Sequence, residues 1–221
     1  MHWGRSIWLL GLALIVAMQP VQGAASGNGT APAATAGSDS PRQILVLGDS
    51  LSAEYGLPRD SGWVSVITQR LKEQNPAYQI RNASISGDTT GNGLRRLPAM
   101  LDEFAADIVI IQLGANDGLR GLPLEEMKTN LQGIIDLAKA KGAKVLLVGQ
   151  RIPPNYGKRY AERFHETYTE LAKENALALV PFMLEAIALD SAMFQADGLH
   201  PTVKAQSHIA ETIWPHLKAM L

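Results

Sequence analysis

From Arg42 onward the chain alternates between two hydrophobic periods. Residues 44–47 form a short unbroken apolar run that stops at Gly48. Trp63, Val64, Ile67 and Leu71 then recur at helical spacing. Residues 78–83 read as a strand and give way to the polar stretch SISGDTTGNG. A helical pattern returns over 94–104. Residues 108–113 are a continuous run rich in β-branched side chains, ending in GAND. Leu124, Met127, Leu131, Ile134, Ile135 and Ala138 share one helix face, and Gly142 stops that helix. A strand at 145–148, a helix at 160–175 and a short strand at 177–180 follow. Pro201 opens a last helix carrying Ile209, Ile213 and Leu217.

Strands that do not alternate are buried on both faces. With helices between them they imply a parallel sheet covered on both sides. The expected fold is therefore a doubly wound α/β domain of about five strands, with no internal repeat and no second domain. In such sheets ligands bind outside the carboxyl ends of the strands. That rule directs attention to the loops at 48–54, 86–93, 114–121 and 151–157, which hold most of the unusual glycines and polar residues.

Residues 1–41 belong to a different kind of sequence. Arg5 precedes an apolar stretch over 7–18, followed by Pro20 and small residues. This is the layout of a secretory signal peptide, expected to span residues 1–23. An uncleaved anchor is the alternative, but the run is roughly a dozen residues where a spanning helix wants about 20. Residues 24–41 are Ala, Gly, Ser, Thr and Pro with almost no charge and read as a flexible linker. The domain is expected over 42–221, exported to the periplasm or secreted, with no stable membrane insertion once the signal is removed. The chain has no cysteine, so it has neither disulfides nor a lipid-modified N-terminal cysteine. A net charge of -1, with no Lys/Arg cluster, gives no footprint for nucleic acid.

Candidate chemistry starts at LVLGDSLSAEYG. Ser50 follows the first strand directly, where free backbone N–H groups point outward. Helix capping is the commoner use of such a serine, and the stretch lacks the last glycine of a G-x-S-x-G elbow. A nucleophilic serine needs a base and a group to orient that base. Of the histidines, His165, His208 and His216 fall in expected helices with polar neighbours and read as surface residues. His200 differs, because DGLHP brings Asp197 and His200 within one turn of loop. Asp197 can fix the imidazole while His200 faces Ser50. The same D-x-x-H spacing suits a metal, but no convincing third ligand lies nearby. Acyl transfer also needs donors aimed at an oxyanion. Gly87 in SISGDTT offers a bare N–H and Asn116 in GAND a side-chain amide, although either loop alone could be an ordinary tight turn. Asp49, Asp88 and Asp117 read as braces of their own loops.

In that order, GDSLS, SISGDTT, LGANDGLRG and DGLHP resemble the four blocks of the GDSL or SGNH hydrolase family, a likeness running from Ile44 to the C-terminus. IPPNYGKRY further resembles its branch of periplasmic multifunctional thioesterases, arylesterases and lysophospholipases. The resemblance implies a flavodoxin-like sheet, no metal and no cofactor. It makes Ser50, Asp197 and His200 the catalytic triad and Ser50, Gly87 and Asn116 the oxyanion hole. It also places Ile152, Pro153 and Tyr156 at the acyl site. The implied function is hydrolysis of small-molecule acyl esters and thioesters through an acyl-serine, by a monomer. Glu54 and Ala115 depart from the expected pattern. Glu54, near the mouth, is expected to alter substrate choice. A carbohydrate or peptidoglycan acetylesterase of the same fold and a non-catalytic periplasmic acyl-binding protein are the alternatives. A flavodoxin-like nucleotide binder is disfavoured, because GDTTGNG lacks the Lys-Ser/Thr ending of a P-loop.

Overall fold

A computed structural model describes residues 41–221. The expected signal peptide, and all of the linker except Pro41, lie outside the described residues. The elements run β1 (Arg42–Gly48), α1 (Trp63–Gln74), β2 (Tyr78–Asn82), α2 (Thr90–Glu103), β3 (Ile108–Gln112), α3 (Ala115–Leu119) and α4 (Leu124–Ala140). They continue with β4 (Lys144–Val148), α5 (Lys158–Asn175), β5 (Ala178–Val180) and α6 (Val203–Lys218). The five strands form one sheet in the order β2-β1-β3-β4-β5, and every pairing is parallel. This is the flavodoxin-like order, with its switch point between β1 and β3.

Burial on both faces follows from the unbroken apolar strands. Leu45, Leu47, Val109, Ile111, Val145 and Leu147 face one layer, packing with residues of α2, α4 and α5. Their neighbours Ile44, Val46, Ile108, Ile110, Leu146 and Val148 face the other, against α1 and α6. All twelve are buried, so period-2 alternation sorts them between two cores rather than between core and solvent.

Two elements differ from the sequence expectation, and both border the switch point. Helix α2 begins at Thr90, inside the stretch read as loop. Gly91, Asn92 and Gly93 are poor helix formers, but Thr89 caps the helix by accepting the Asn92 N–H. Gly93 also lets the helix approach the sheet, since a Cβ there would lie 2.3 Å from Leu113 Cδ1. GAND, read as a donor-bearing loop that could also be a tight turn, instead opens the short helix α3. Gly114 supplies its entry at φ +115°, and a Cβ at that position would lie 2.1 Å from the buried Tyr168 hydroxyl. That hydroxyl donates to Leu113 O (2.9 Å), tying α5 to the end of β3.

Gly114→Ala therefore meets strain and a clash together. We expect a loss of about 2–4 kcal/mol of stability, read as a lower midpoint in chemical denaturation.

Candidate active site

The loop after β1 turns at once. Ser52 N and Ala53 N both donate to Asp49 O, at 3.1 and 2.9 Å, so Ser50 stands at the apex of a tight turn. A buried polar cluster holds this turn onto β3. Gln112, directly opposite Gly48 in the β1–β3 register, is fully buried. Its Oε1 accepts from Ser52 Oγ (2.5 Å) and Asp49 N (3.3 Å), and its Nε2 donates to Asp49 Oδ1 (3.0 Å). Asn82 Nδ2 donates to Ser52 O (2.7 Å) from the other side. Gly48 is required here, because a Cβ would fall within 3 Å of Ser84 Oγ, Gln112 Oε1 and Ser52 Cβ.

The partner loop closes from the far end of the chain. Phe194 and Pro201 form an antiparallel bridge, and Gln195 N donates to His200 O (2.7 Å). Gly198 turns the tip at φ +67°. Asp197 Oδ1 accepts both the Leu199 and His200 N–H groups at 2.9 Å, while Oδ2 lies 2.7 Å from His200 Nδ1. His200 Nε2 lies 2.9 Å from Ser50 Oγ. The His200 N–H, then the Leu199 N–H and the imidazole, hold the Asp197 carboxyl down at about 2. An ionised carboxylate can only accept, so Nδ1 carries the proton. Nε2 is then left to accept from the serine hydroxyl. The Tyr55 ring packs against the imidazole with centroids 4.5 Å apart.

The loop after β2 bears Gly87 at φ +84°, with nothing but the Arg120 guanidinium within 4 Å of where a Cβ would sit. Helix α3 grips this loop at two successive carbonyls. Asn116 Nδ2 donates to Asp88 O and Arg120 Nη2 to Gly87 O, each at 3.0 Å. Among the described residues, neither the Ser50 nor the Gly87 N–H donates to a protein acceptor. These two groups and the second amide hydrogen of Asn116 thus remain available as donors.

Ser50, Asn116 and His200 line one cleft of about 680 Å³ with Ile152 and Pro153. Leu184, Leu189 and Phe194 give the rest of its wall an apolar character. Tyr156 was expected there with them. It stands instead on the 3-10 turn Pro154–Tyr156, exposed and outside the cleft lining. The turn lifts the end of IPPNY away after Pro153. Glu54 is also not at the mouth. Its carboxylate accepts from Asp60 N, Gly62 N and Ser65 Oγ, bracing the start of α1. Asp88 pairs with the Arg96 side chain (2.7 Å), and Asp117 accepts from Thr90 N and Oγ1 at the head of α2, so neither braces only its own loop. Gln112 and Arg151 went unnoticed in the sequence. A lone glutamine ending an otherwise apolar strand is the one signal that marks Gln112. Among the described residues no cluster of His, Asp and Glu has the geometry to hold a metal ion.

A doubly wound parallel sheet with Ser, His and Asp meeting beyond the carboxyl ends of its strands is an arrangement that serine hydrolases use. Residues 46–207 match the GDSL-like lipase/acylhydrolase family, and the chain belongs to that family. It is 48% identical to esterase TesA of Pseudomonas aeruginosa over 178 residues, 80% of this chain and 89% of the relative. It is 46% identical to an arylesterase of Vibrio mimicus, covering 81% of this chain and 90% of that protein. Thioesterase 1/protease 1/lysophospholipase L1 of Escherichia coli K12 is 39% identical over 80% of this chain and 84% of its own length. Among solved structures, the crystal structure of TesA aligns with TM-score 0.80 at 47% identity, covering 81% of this chain and all of that one.

Asp49 supplies a test of the buried cluster. Burial, opposed by the Leu51 N–H and the Gln112 amide, raises its carboxyl to about 6. A raised carboxyl binds its proton more tightly in the folded state, so this stabilisation is complete below the unfolded value near 4 and lost as pH rises to about 6. Asp49→Asn should remove a fall of on the order of 2–3 kcal/mol across that window. Denaturation midpoints of both proteins from pH 4 to 7 check it, their difference isolating the one group.

Proposed function

We propose that the protein is a serine hydrolase that cleaves small-molecule carboxylic esters and acyl thioesters through an acyl-serine intermediate. The observation that carries this reading is the continuous hydrogen-bonded chain Asp197–His200–Ser50, opening into a largely apolar cleft. His200 takes the Ser50 proton as Oγ attacks the acyl carbonyl. The Ser50 and Gly87 N–H groups and the Asn116 amide receive the developing oxyanion. His200 then protonates the leaving alcohol or thiol, and later activates the water that releases the acid. Asp197 holds the imidazole in the tautomer this needs and offsets its transient charge.

The cleft supports an acyl chain as the part recognised by Ile152, Pro153 and their apolar neighbours. A sugar acetylesterase would favour a narrow pocket, and about 680 Å³ of apolar-walled space does not suit one. The relatives' names, esterase, arylesterase and thioesterase/lysophospholipase, point the same way. Among the described residues no helix is long and apolar enough to cross a membrane. The signal-peptide layout of residues 1–23 supports export to the periplasm or beyond, and we read the enzyme as acting there as a monomer on dissolved or dispersed substrates.

Hydrolysis of p-nitrophenyl esters from acetyl to palmitoyl tests the reading. We expect rates that peak beyond acetyl. Ser50→Ala should lower kcat by on the order of 10⁴–10⁶ and Asn116→Ala by roughly 10²–10³. Full activity in pure Ser50→Ala protein overturns the assignment, and activity confined to acetyl esters transfers it to the deacetylase reading.

A further inference from the structure

One cationic group in the cleft has no part in the acyl transfer just described. Arg151 follows β4 and lines the same cleft as Ser50. Its guanidinium lies over the Phe182 ring, 5.7 Å from the centroid, and its Nη2 is 3.0 Å from His165 Nε2. A guanidinium can only donate, so His165 Nε2 is the acceptor and carries no proton. The other ring nitrogen, Nδ1, lies 3.2 Å from Gln150 O and donates to it. His165 is thus a neutral imidazole locked in one tautomer, not the solvated surface residue its sequence neighbours suggest. Burial, more than the nearby Arg151 charge, lowers its pKa and favours that neutral form.

The choice of acceptor matters. Arg70, Arg81, Arg96 and Arg163 each meet a carboxylate, which cancels much of their charge. Arg151 makes no ion pair with a carboxylate among the described residues. A neutral imidazole fixes its direction and leaves its charge intact. Four cations line the other sizeable depression, between α4 and α5, and carboxylates meet three of them. There Lys128 is paired with Glu170 and Glu174, and Arg163 with Glu166 and Glu170. An oriented, uncancelled guanidinium beside apolar walls is suited to a substrate with an apolar acyl chain and an anionic leaving group.

We propose that Arg151 binds a phosphate carried by the substrate's alcohol or thiol portion, and that His165 is a positioning residue that aims the guanidinium without neutralising it. This rests on the acyl-hydrolase reading above. The phosphate can belong to a lysolipid headgroup or to a soluble thiol carrier. Two matched pairs of substrates separate these sources: decanoyl-glycerol phosphate against decanoyl-glycerol, and decanoyl-coenzyme A against decanoyl-pantetheine. We expect the wild-type enzyme to prefer the phosphate-bearing member of at least one pair. Arg151→Gln should reduce that preference about ten- to a hundredfold, mainly through KM, the size of one or two charge-assisted hydrogen bonds. His165→Leu should move KM in the same direction with kcat held, and His165→Gln, which keeps an acceptor, should restore part of it. Equal losses on both members of each pair, or a preference unchanged by Arg151→Gln, overturn the proposal. Calorimetric binding of dodecyl phosphate and of dodecanol to Ser50→Ala protein needs no turnover, so it reads Arg151 even if the acyl-hydrolase assignment fails. Dodecyl phosphate should bind more tightly, and adding Arg151→Gln should erase the difference. No difference before that substitution also overturns the proposal.

Discussion

The site depends on one buried amide. Gln112 ends β3 where the chain order reverses, and it faces Gly48 across the parallel register. Burying a side-chain amide there is costly unless its donors and acceptor are used. They are used on the turn that carries Ser50, through the Asp49 N–H, the Asp49 carboxyl and the Ser52 hydroxyl. The turn is therefore fixed by the sheet rather than by its own local preferences. Gly48 permits this, because any larger residue would occupy the space in which the cluster closes.

Once that turn is set, the remaining loops are positioned by mutual constraint. Helix α3 begins directly after β3, so its side chains project toward the β2 loop. Asn116 and Arg120, four residues and about one turn apart, reach two adjacent carbonyls of that loop. Asp117, between them, reaches the head of α2. Three side chains within five residues thus join the end of β3, the β2 loop and the next helix. An Asn116 amide that spends one hydrogen on Asp88 O is held in place and still has its second hydrogen for a ligand. Rigid donors of this kind give up little reorganisation when charge develops nearby.

Much of this was legible in the chain. Unbroken apolar strands between helical patterns dictate a two-sided parallel sheet, and the observed order and registers are those of that fold. DGLHP is equally readable, because a short loop with a glycine leaves Asp197 and His200 few ways to miss each other. What escaped reading has a common physical origin. Gln112 lies inside an apolar run, and its partners are 60 or 63 residues away in sequence. The start of α2 has weak helix formers whose cap and packing are supplied by Thr89, Asp117 and Leu113. Glu54 looks like a substituent at a cleft mouth, but a φ of +59° turns it toward the head of α1. Tyr156 belongs to a motif whose far end the 3-10 turn carries out of the cleft. In each case tertiary contact overrides a sound local expectation.

The charged groups around the cleft show how surroundings, rather than residue type, set a side chain's task. Asp49 and Asp197 are both aspartates at the same sheet edge. Asp49 has lost water, which raises its carboxyl to about 6, and its Oδ1 is spent on the Leu51 N–H and the Gln112 amide, so it acts as a brace. Asp197 is partly exposed and accepts two backbone N–H groups, so it remains ionised down to about 2 and can orient a base. The same logic separates His200 from His165. Each imidazole is fixed by a hydrogen bond at Nδ1, one to a carboxylate and the other to a carbonyl. The carboxylate fixes the His200 ring with Nε2 facing Ser50 Oγ. At His165 burial, with the Arg151 charge beside it, outweighs the hydrogen bond to the Gln150 carbonyl and favours the neutral ring, as an acceptor for Arg151 requires. Exchanging the two environments would leave the composition of the cleft unchanged and remove both abilities.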